Sequence, residues 1–332
     1  MIVLKAFVHD HGNLEIKQID DPHVSVGEVI VGIRSAGLNR RDIGIPNRRN
    51  KEEDTLVLGS DGAGVIEAVG EGVTNINVGD EVIINPALRW AEKSVAPPAD
   101  FDILGMPDHG TFAEKIKVSA DQVEKKPAHL SWDEAGVLAL SALTGYRALF
   151  TKGELKEGDT VFIPGAGSGV ATYLIMFAKQ AGARVIVTSR NEEKREHAAN
   201  LGADIVLDTA SDWPEELADE EIDLVIESVG KATFNRSLEV LKKGGRMVVF
   251  GATTDDTIDF NLRAFFYGQY QLFGTTMGSR EELRDMLDLV KEHKLHPVVD
   301  STFELNHAKE AFYYLKEGNQ FGKVAIKISG DE

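Results

Sequence analysis

The sequence predicts an α/β protein, with a β-rich region at the N-terminal end and a doubly wound parallel sheet after it. Three observations carry this. Short alternating runs broken by glycine turns fill residues 1 to about 85. From about Ser131 onward, apolar strand-like runs alternate with helical stretches. A glycine-rich turn joins one of these runs to an apolar helix.

Glu28-Val29-Ile30-Val31-Gly32-Ile33 and Gly64-Val65-Ile66-Glu67-Ala68-Val69 read as strands, and Glu71-Gly72-Val73 and Val78-Gly79-Asp80 as turns. Pro86 to His109 carries several Pro and Asp residues and little periodicity, so a surface excursion is expected there. Val161-Phe162-Ile163 opens the second pattern. Gly165-Ala166-Gly167-Ser168-Gly169 follows, then a helix from Val170 to Gln180 with Gly182 at its end. Arg184–Thr188 is a second buried strand. Asn191 is placed to cap the next helix, and Gly202 follows it.

Ile205–Leu207, Leu224–Ile226 and Arg246–Gly251 are further strands, with helices near Trp213–Ala218 and Thr233–Leu241 between them. Leu272–Thr275 is a candidate sixth strand. Helices at Glu281–His293 and Lys309–Glu317 and a strand at Lys323–Ile328 close the chain. Strands apolar on both faces and alternating with helices imply a parallel sheet covered on both sides, a Rossmann-type domain.

The composition excludes several functions. Fifty-four acidic against 36 basic residues give a net charge of −18, which repels nucleic acid. There is no cysteine, hence no disulfide, no thiolate metal site and no cysteine nucleophile. No apolar run reaches the roughly 18 residues of a membrane helix, and the N-terminus lacks a signal-peptide pattern. A cytoplasmic protein without membrane or nucleic-acid partners is expected.

The glycine turn lies between strand and helix. Backbone N–H groups there face an anion, and small residues let a pyrophosphate approach. Ala166, Gly167, Ser168, Gly169 and Val170 are therefore candidate dinucleotide contacts. About twenty residues on, the second strand ends in Ser189 and Arg190, where an acid would select NAD. Ser189, Arg190 and Lys194 instead suit a 2′-phosphate, so NADP(H) is the expected cofactor.

The chain resembles the medium-chain dehydrogenase/reductase superfamily, in particular its zinc-free quinone oxidoreductase branch. The resemblance rests on Gly37-Leu38-Asn39-Arg40-Arg41-Asp42, on Gly59-Ser60-Asp61-Gly62-Ala63-Gly64 continuing through Val78-Gly79-Asp80, on Gly110-Thr111-Phe112-Ala113-Glu114, on Leu143-Thr144-Gly145-Tyr146, and on Gly322-Lys323-Val324. It implies a GroES-like β-rich catalytic domain of residues 1–124 and 271–332, an inserted Rossmann domain of 125–270, a nicotinamide in the cleft between them, and a homodimer.

Zinc-using relatives place cysteine at the position of Asn39, a His-Glu pair at Ser60-Asp61 and a further cysteine near Leu140. Here only Asp61 is a metal-binding type, so no metal is expected. The turn itself departs from the family, with Ala166 and Ser168 where glycines are common.

Without a Lewis acid, the implied reaction is hydride transfer from NADPH to a quinone or an α,β-unsaturated carbonyl. The resemblance makes Asn39, Asp42, Asp61 and Thr144 the catalytic candidates. Asn39 and Thr144 are also candidates for the cofactor, with Phe250, Gly251, Ala252, Thr275 and Lys323. Each has an ordinary alternative: a loop cap for Asn39 and Asp42, a structural carboxylate for Asp61, a helix-start hydroxyl for Thr144 and a solvated surface lysine for Lys323. Tyr146 and Tyr267 are further possible proton donors. A zinc-type alcohol dehydrogenase or aldehyde reductase, and a nucleotide-binding redox sensor without turnover, are the competing readings.

Overall fold

The computed structural model describes residues 3–50 and 52–329. Two compact units divide the chain. One holds the residues up to Leu143 and from Gly278 onward, and the other is Thr144–Met277.

The first unit is built on two mainly antiparallel sheets. Asn13–Asp20, Val3–Asp10 and Leu56–Val57 form a three-stranded sheet in that order. A seven-stranded sheet runs Val123–Lys125, Glu81–Ile84, Asp61–Val69, Glu28–Gly37, Lys323–Lys327 and Val299–Glu304, and Lys115–Ser119 also pairs with Glu28–Gly37. Their alternating side chains meet in a core that includes Phe7, Ile33, Leu58, Ile66, Phe112, Phe312 and Ile326. Two strands approach unusually closely at Gly64, where a Cβ would lie 2.1 Å from the Gly32 carbonyl oxygen. The Pro86–His109 excursion is not wholly superficial: Ala87–Leu88 pairs with Asp102–Ile103, and Trp90 is buried.

The second unit is a six-stranded parallel sheet. In spatial order its strands are Ile205–Asp208, Arg184–Ser189, Thr160–Ile163, Ile222–Glu227, Leu241–Val249 and Gln271–Gly274. In chain order this is 3-2-1-4-5-6, the doubly wound arrangement whose ligand crevice opens outside the carboxyl ends of the first and fourth strands. The helices Gly169–Gln180, Glu192–Leu201 and Phe234–Val240 fall between strands as the pattern requires. Gly202, at φ 117°, ends the second of them. Phe162, Ile186, Trp213, Ile222, Phe234 and Met247 fill the core on one side, with the Trp213 and Phe162 ring centroids 5.1 Å apart.

The units divide later in the chain than the expected 125 and 270. The helix Trp132–Gly136 packs on the first unit's strands: a Cβ on Gly136 would lie 2.6 Å from the Ser35 carbonyl, and one on Gly37 would lie 2.8 Å from Val137 Cα. At the other end, Gln271–Gly274 is the sixth strand of the parallel sheet, so a boundary at 270 would cut the sheet. The helix Arg280–Glu292 belongs to the first unit, where Arg280 pairs with Glu124 and Asp121, both at 2.6 Å. No helix among the described residues is long and apolar enough to cross a membrane.

Candidate functional site

In the parallel-sheet unit, the strand Thr160–Ile163 runs into a turn with Gly165 at φ 84° and Gly167 at φ 108°. The turn is tied to the second strand, since the Thr188 carbonyl accepts from the N–H groups of Gly165 (3.1 Å) and Ala166 (2.7 Å). Ser168 then caps the helix, its hydroxyl accepting from the Ala171 N–H at 3.1 Å. The N–H groups of Gly169 and Val170 open this helix and have no carbonyl within it to bond. With the helix dipole, they form the anion-facing end that the sequence predicts.

The end of the second strand is braced. Arg195 donates to the Ser189 carbonyl (2.8 Å) and to Asp208 (3.1 Å). Asp208 stands beside Ser189 on the neighbouring strand, and this guanidinium balances its charge. The Ser189 hydroxyl accepts from the Asn191 N–H at 3.2 Å, which leaves its own proton to donate. Arg190 is exposed. Lys194 is half-buried one helical turn on.

Across the crevice, the fourth strand ends in Glu227, which sequence reasoning missed. Its buried carboxylate accepts from the N–H groups of Val229 and Gly230 and from the hydroxyls of Thr233 and Ser237. Burial raises its pKa despite these four donors. The signal was present as an acid closing the apolar run Leu224–Ile226. Glu227 shapes the loop that sets Val229 against Gly165. Phe250 donates to the Glu227 carbonyl at 3.1 Å, which holds Phe250-Gly251-Ala252 beside that loop. Thr275 donates to the Val249 carbonyl, and its buried hydroxyl has no hydrogen-bond partner among the described residues.

Thr144 is buried in the helix Ala139–Tyr146. Tyr146 packs on the Phe150 ring, and Tyr267 is an exposed residue beside Phe266. The small-residue turn at 165–170 and the basic strand end at 189–194 therefore meet the requirements of a phosphorylated dinucleotide.

The β-rich unit contains a different centre. Asn39, Asp61, Ser141 and Lys323 converge from four segments and are all buried. The Lys323 ammonium, 3% exposed, lies 2.6 Å from Asn39 Oδ1, 3.1 Å from Ser141 Oγ and 3.2 Å from Asp61 Oδ2. Asn39 Nδ2 donates to Asp61 Oδ2 (3.0 Å) and to the Gly37 carbonyl (3.3 Å), and Ser141 donates to Asn39 Oδ1 (3.2 Å). Asp61 Oδ1 accepts from the Leu140 N–H at 2.7 Å. Every donor of the ammonium and of the Asn39 amide is used.

These contacts bear on three expectations. Both N–H groups of the Asn39 amide are taken up inside the cluster. Asp61 is held by backbone, amide and ammonium, the contacts expected of its structural alternative. Lys323 is buried and is not a surface lysine, and its three N–H groups are hydrogen-bonded inside the cluster. Asp42 makes the contact expected of its loop-cap alternative. Fully buried, it accepts from the Asn39 N–H at 2.8 Å and closes the start of the helix Arg40–Gly44. Its other carboxylate oxygen has no partner among the described residues, and burial pushes its pKa up to about 6. Ser141, one residue beyond Leu140, was missed because a lone serine in an apolar helix carries no signal of its partners.

The same geometry tests whether the residues suit zinc. A tetrahedral site needs thiolate, imidazole or carboxylate lone pairs directed at the metal. Here the only such group is Asp61, and its oxygens are occupied. Ser60 is bound to Arg41 (2.6 Å) and to the Leu104 carbonyl (2.6 Å). Among the described residues no three His, Cys, Asp or Glu side chains gather as a metal site. The residues do not fit the metal.

A parallel 3-2-1-4-5-6 sheet with a glycine turn, inserted in a GroES-like β unit made from both chain ends, defines a dehydrogenase/reductase architecture. The chain belongs to the medium-chain dehydrogenase/reductase superfamily. The alcohol dehydrogenase GroES-like domain family matches residues 25–128, and the zinc-binding dehydrogenase family matches 169–292. A zinc-type alcohol dehydrogenase-like protein of Schizosaccharomyces pombe is 32% identical, over 98% of this chain and all of its own. An acryloyl-coenzyme A reductase of Metallosphaera sedula is 31% identical over 98% of both.

Among solved structures, an NAD-dependent alcohol dehydrogenase is 32% identical, with a TM-score of 0.89 over 98% of this chain and all of its own. A 2-octenoyl-CoA carboxylase reductase, in complex with NADP and 2-octenoyl-CoA, is 25% identical. Its TM-score is 0.86, over 98% of this chain and 87% of its own.

Proposed function

We propose that the chain is an NADPH-dependent, zinc-independent reductase of activated alkenes, with α,β-unsaturated carbonyls as its main substrate class and quinones as the second. The observation that carries the cofactor choice is the end of the second parallel strand, where Ser189 and Arg190 stand in place of an acid. The Gly169 and Val170 amides would receive the pyrophosphate. Ser189, Arg190 and Lys194 would receive the 2′-phosphate. Phe250, Gly251, Ala252, Thr275 and Thr144 are the candidates for the nicotinamide side. When bound, the reduced nicotinamide supplies the hydride. Reduction of an enone would add that hydride to the β-carbon and a proton from solvent or a side chain to the α-carbon, leaving the oxidised nicotinamide.

The substrate class is supported by the acryloyl-coenzyme A and 2-octenoyl-CoA reductases among the relatives. Carbonyl reduction through zinc is disfavoured by a donor set already spent on an ammonium. A homodimer is supported by the strand Gln271–Gly274, an edge of the parallel sheet that carries the exposed Leu272 near exposed Phe266 and Tyr267.

The test is a panel of enones, enoyl thioesters, quinones and aldehydes, followed by loss of NADPH and NADH absorbance. Saturable oxidation of NADPH by enones or enoyl thioesters is expected. Turnover of aldehydes alone, or a preference for NADH, would overturn the proposal.

A further inference from the structure

We infer that Lys323 is an internal cation filling the position where zinc-dependent members of this superfamily would bind their metal, and that it is the positioning residue for Asn39, Asp61 and Ser141. Three side-chain oxygens from three segments point at one positive centre, as ligands do at a cation. That centre is the ammonium itself, at 2.6, 3.1 and 3.2 Å. One carboxylate, one amide oxygen and one hydroxyl around an ammonium are not the donor set of a tetrahedral zinc site.

The electrostatics agree. Asp61 is 0% exposed, and keeping a buried carboxylate ionised is costly unless a counter-charge and hydrogen bonds offset the lost hydration. Lys323 makes the only ion pair to Asp61 among the described residues. The pair also has a mechanical effect. Lys323 begins the strand Lys323–Lys327, Asn39 follows the strand Glu28–Gly37, Asp61 begins Asp61–Val69, and Leu140 and Ser141 lie in the helix Ala139–Tyr146. One ammonium therefore ties the C-terminal part of the chain to three N-terminal segments. A metal would do this by coordination, and Lys323 does it covalently tethered to the fold, with no dependence on metal supply.

The inference does not depend on which substrate is reduced, because its test reads metal content and melting temperature. Purified protein is incubated with zinc, desalted and analysed for metal. Its melting temperature is then measured with and without a chelator. Less than about a tenth of an equivalent of zinc per chain and no chelator shift are expected. Stoichiometric zinc whose removal lowers the melting temperature would overturn the proposal.

The second arm compares Lys323→Met, Asp61→Asn and the double variant. Lys323→Met should melt well below wild type, because Asp61 is stranded without a counter-charge. Adding Asp61→Asn should recover most of the loss, and Lys323→Arg should recover part. A lysine that merely fills space predicts no recovery from Asp61→Asn, and that result would sink the proposal. If Lys323→Met does not fold, recovery of a folded double variant still decides the point.

Discussion

Arg190 is the residue on which cofactor choice turns. It is exposed at the strand end, and the nearby Asp208 is already neutralised by Arg195. A charge-assisted contact to a phosphate contributes about 1.5–3 kcal/mol, or roughly ten- to a hundredfold in affinity. Arg190→Ala should therefore raise the KM for NADPH by about that factor and leave NADH nearly unchanged. Equal losses with both cofactors would show that the residue does not meet the 2′-phosphate.

Asp42 offers a second test at this scale. Its carboxyl is raised from 3.8 to about 6, so the folded protein holds that proton more tightly than the unfolded chain. Its contribution to stability is therefore largest below about pH 4 and is lost as pH rises through about 6. The ionised group then costs on the order of 3 kcal/mol at pH 7. Asp42→Asn keeps an acceptor for the Asn39 N–H and removes the titration. Its denaturation midpoint should lack the wild-type decline between pH 4 and 6, and parallel profiles for the two proteins would refute the assignment.

At the scale of the element, the glycine turn matters more than any single contact. Gly165 holds φ 84°, and a Cβ there would lie 2.9 Å from Val229 Cγ2. Gly165→Ala should cost about 1–2 kcal/mol from the left-handed backbone alone, with a further loss as the loop shaped by Glu227 is pushed away. Thermal melting would detect the first effect and NADPH titration the second. An unchanged melting temperature would mean that the turn relaxes freely. The alanine and serine at 166 and 168 have a structural use: the Ala166 N–H is bound to the second strand, and Ser168 supplies the helix cap.

For the whole molecule, the parallel sheet has two edge strands, Ile205–Asp208 and Gln271–Gly274, and the second carries exposed apolar side chains. Among the described residues Gln271–Gly274 pairs only with Leu241–Val249, and Leu272, Phe266 and Tyr267 are 43%, 53% and 67% exposed. Paired edge strands from two copies would hide these groups and satisfy the free backbone bonds. Leu272→Lys combined with Phe266→Glu should shift the protein to a monomer in analytical ultracentrifugation. A wild-type monomer at micromolar concentration would remove the basis for this edge as an interface.

Local periodicity determined most of the parallel-sheet unit. Its strands, its glycine turn and the Asn191 and Gly202 helix ends are short-range signals, so neighbouring residues suffice to specify them. The Ser189-Arg190 pair was legible for the same reason, since its position is counted along the chain from the turn. Tertiary structure alone decided the roles of Asn39, Asp61, Ser141 and Lys323. Up to 284 positions separate partners in that cluster, and whether a polar group is free or spent depends on which distant donors reach it. Hydrogen-bond saturation is a property of the folded packing, and no run of residues encodes it locally.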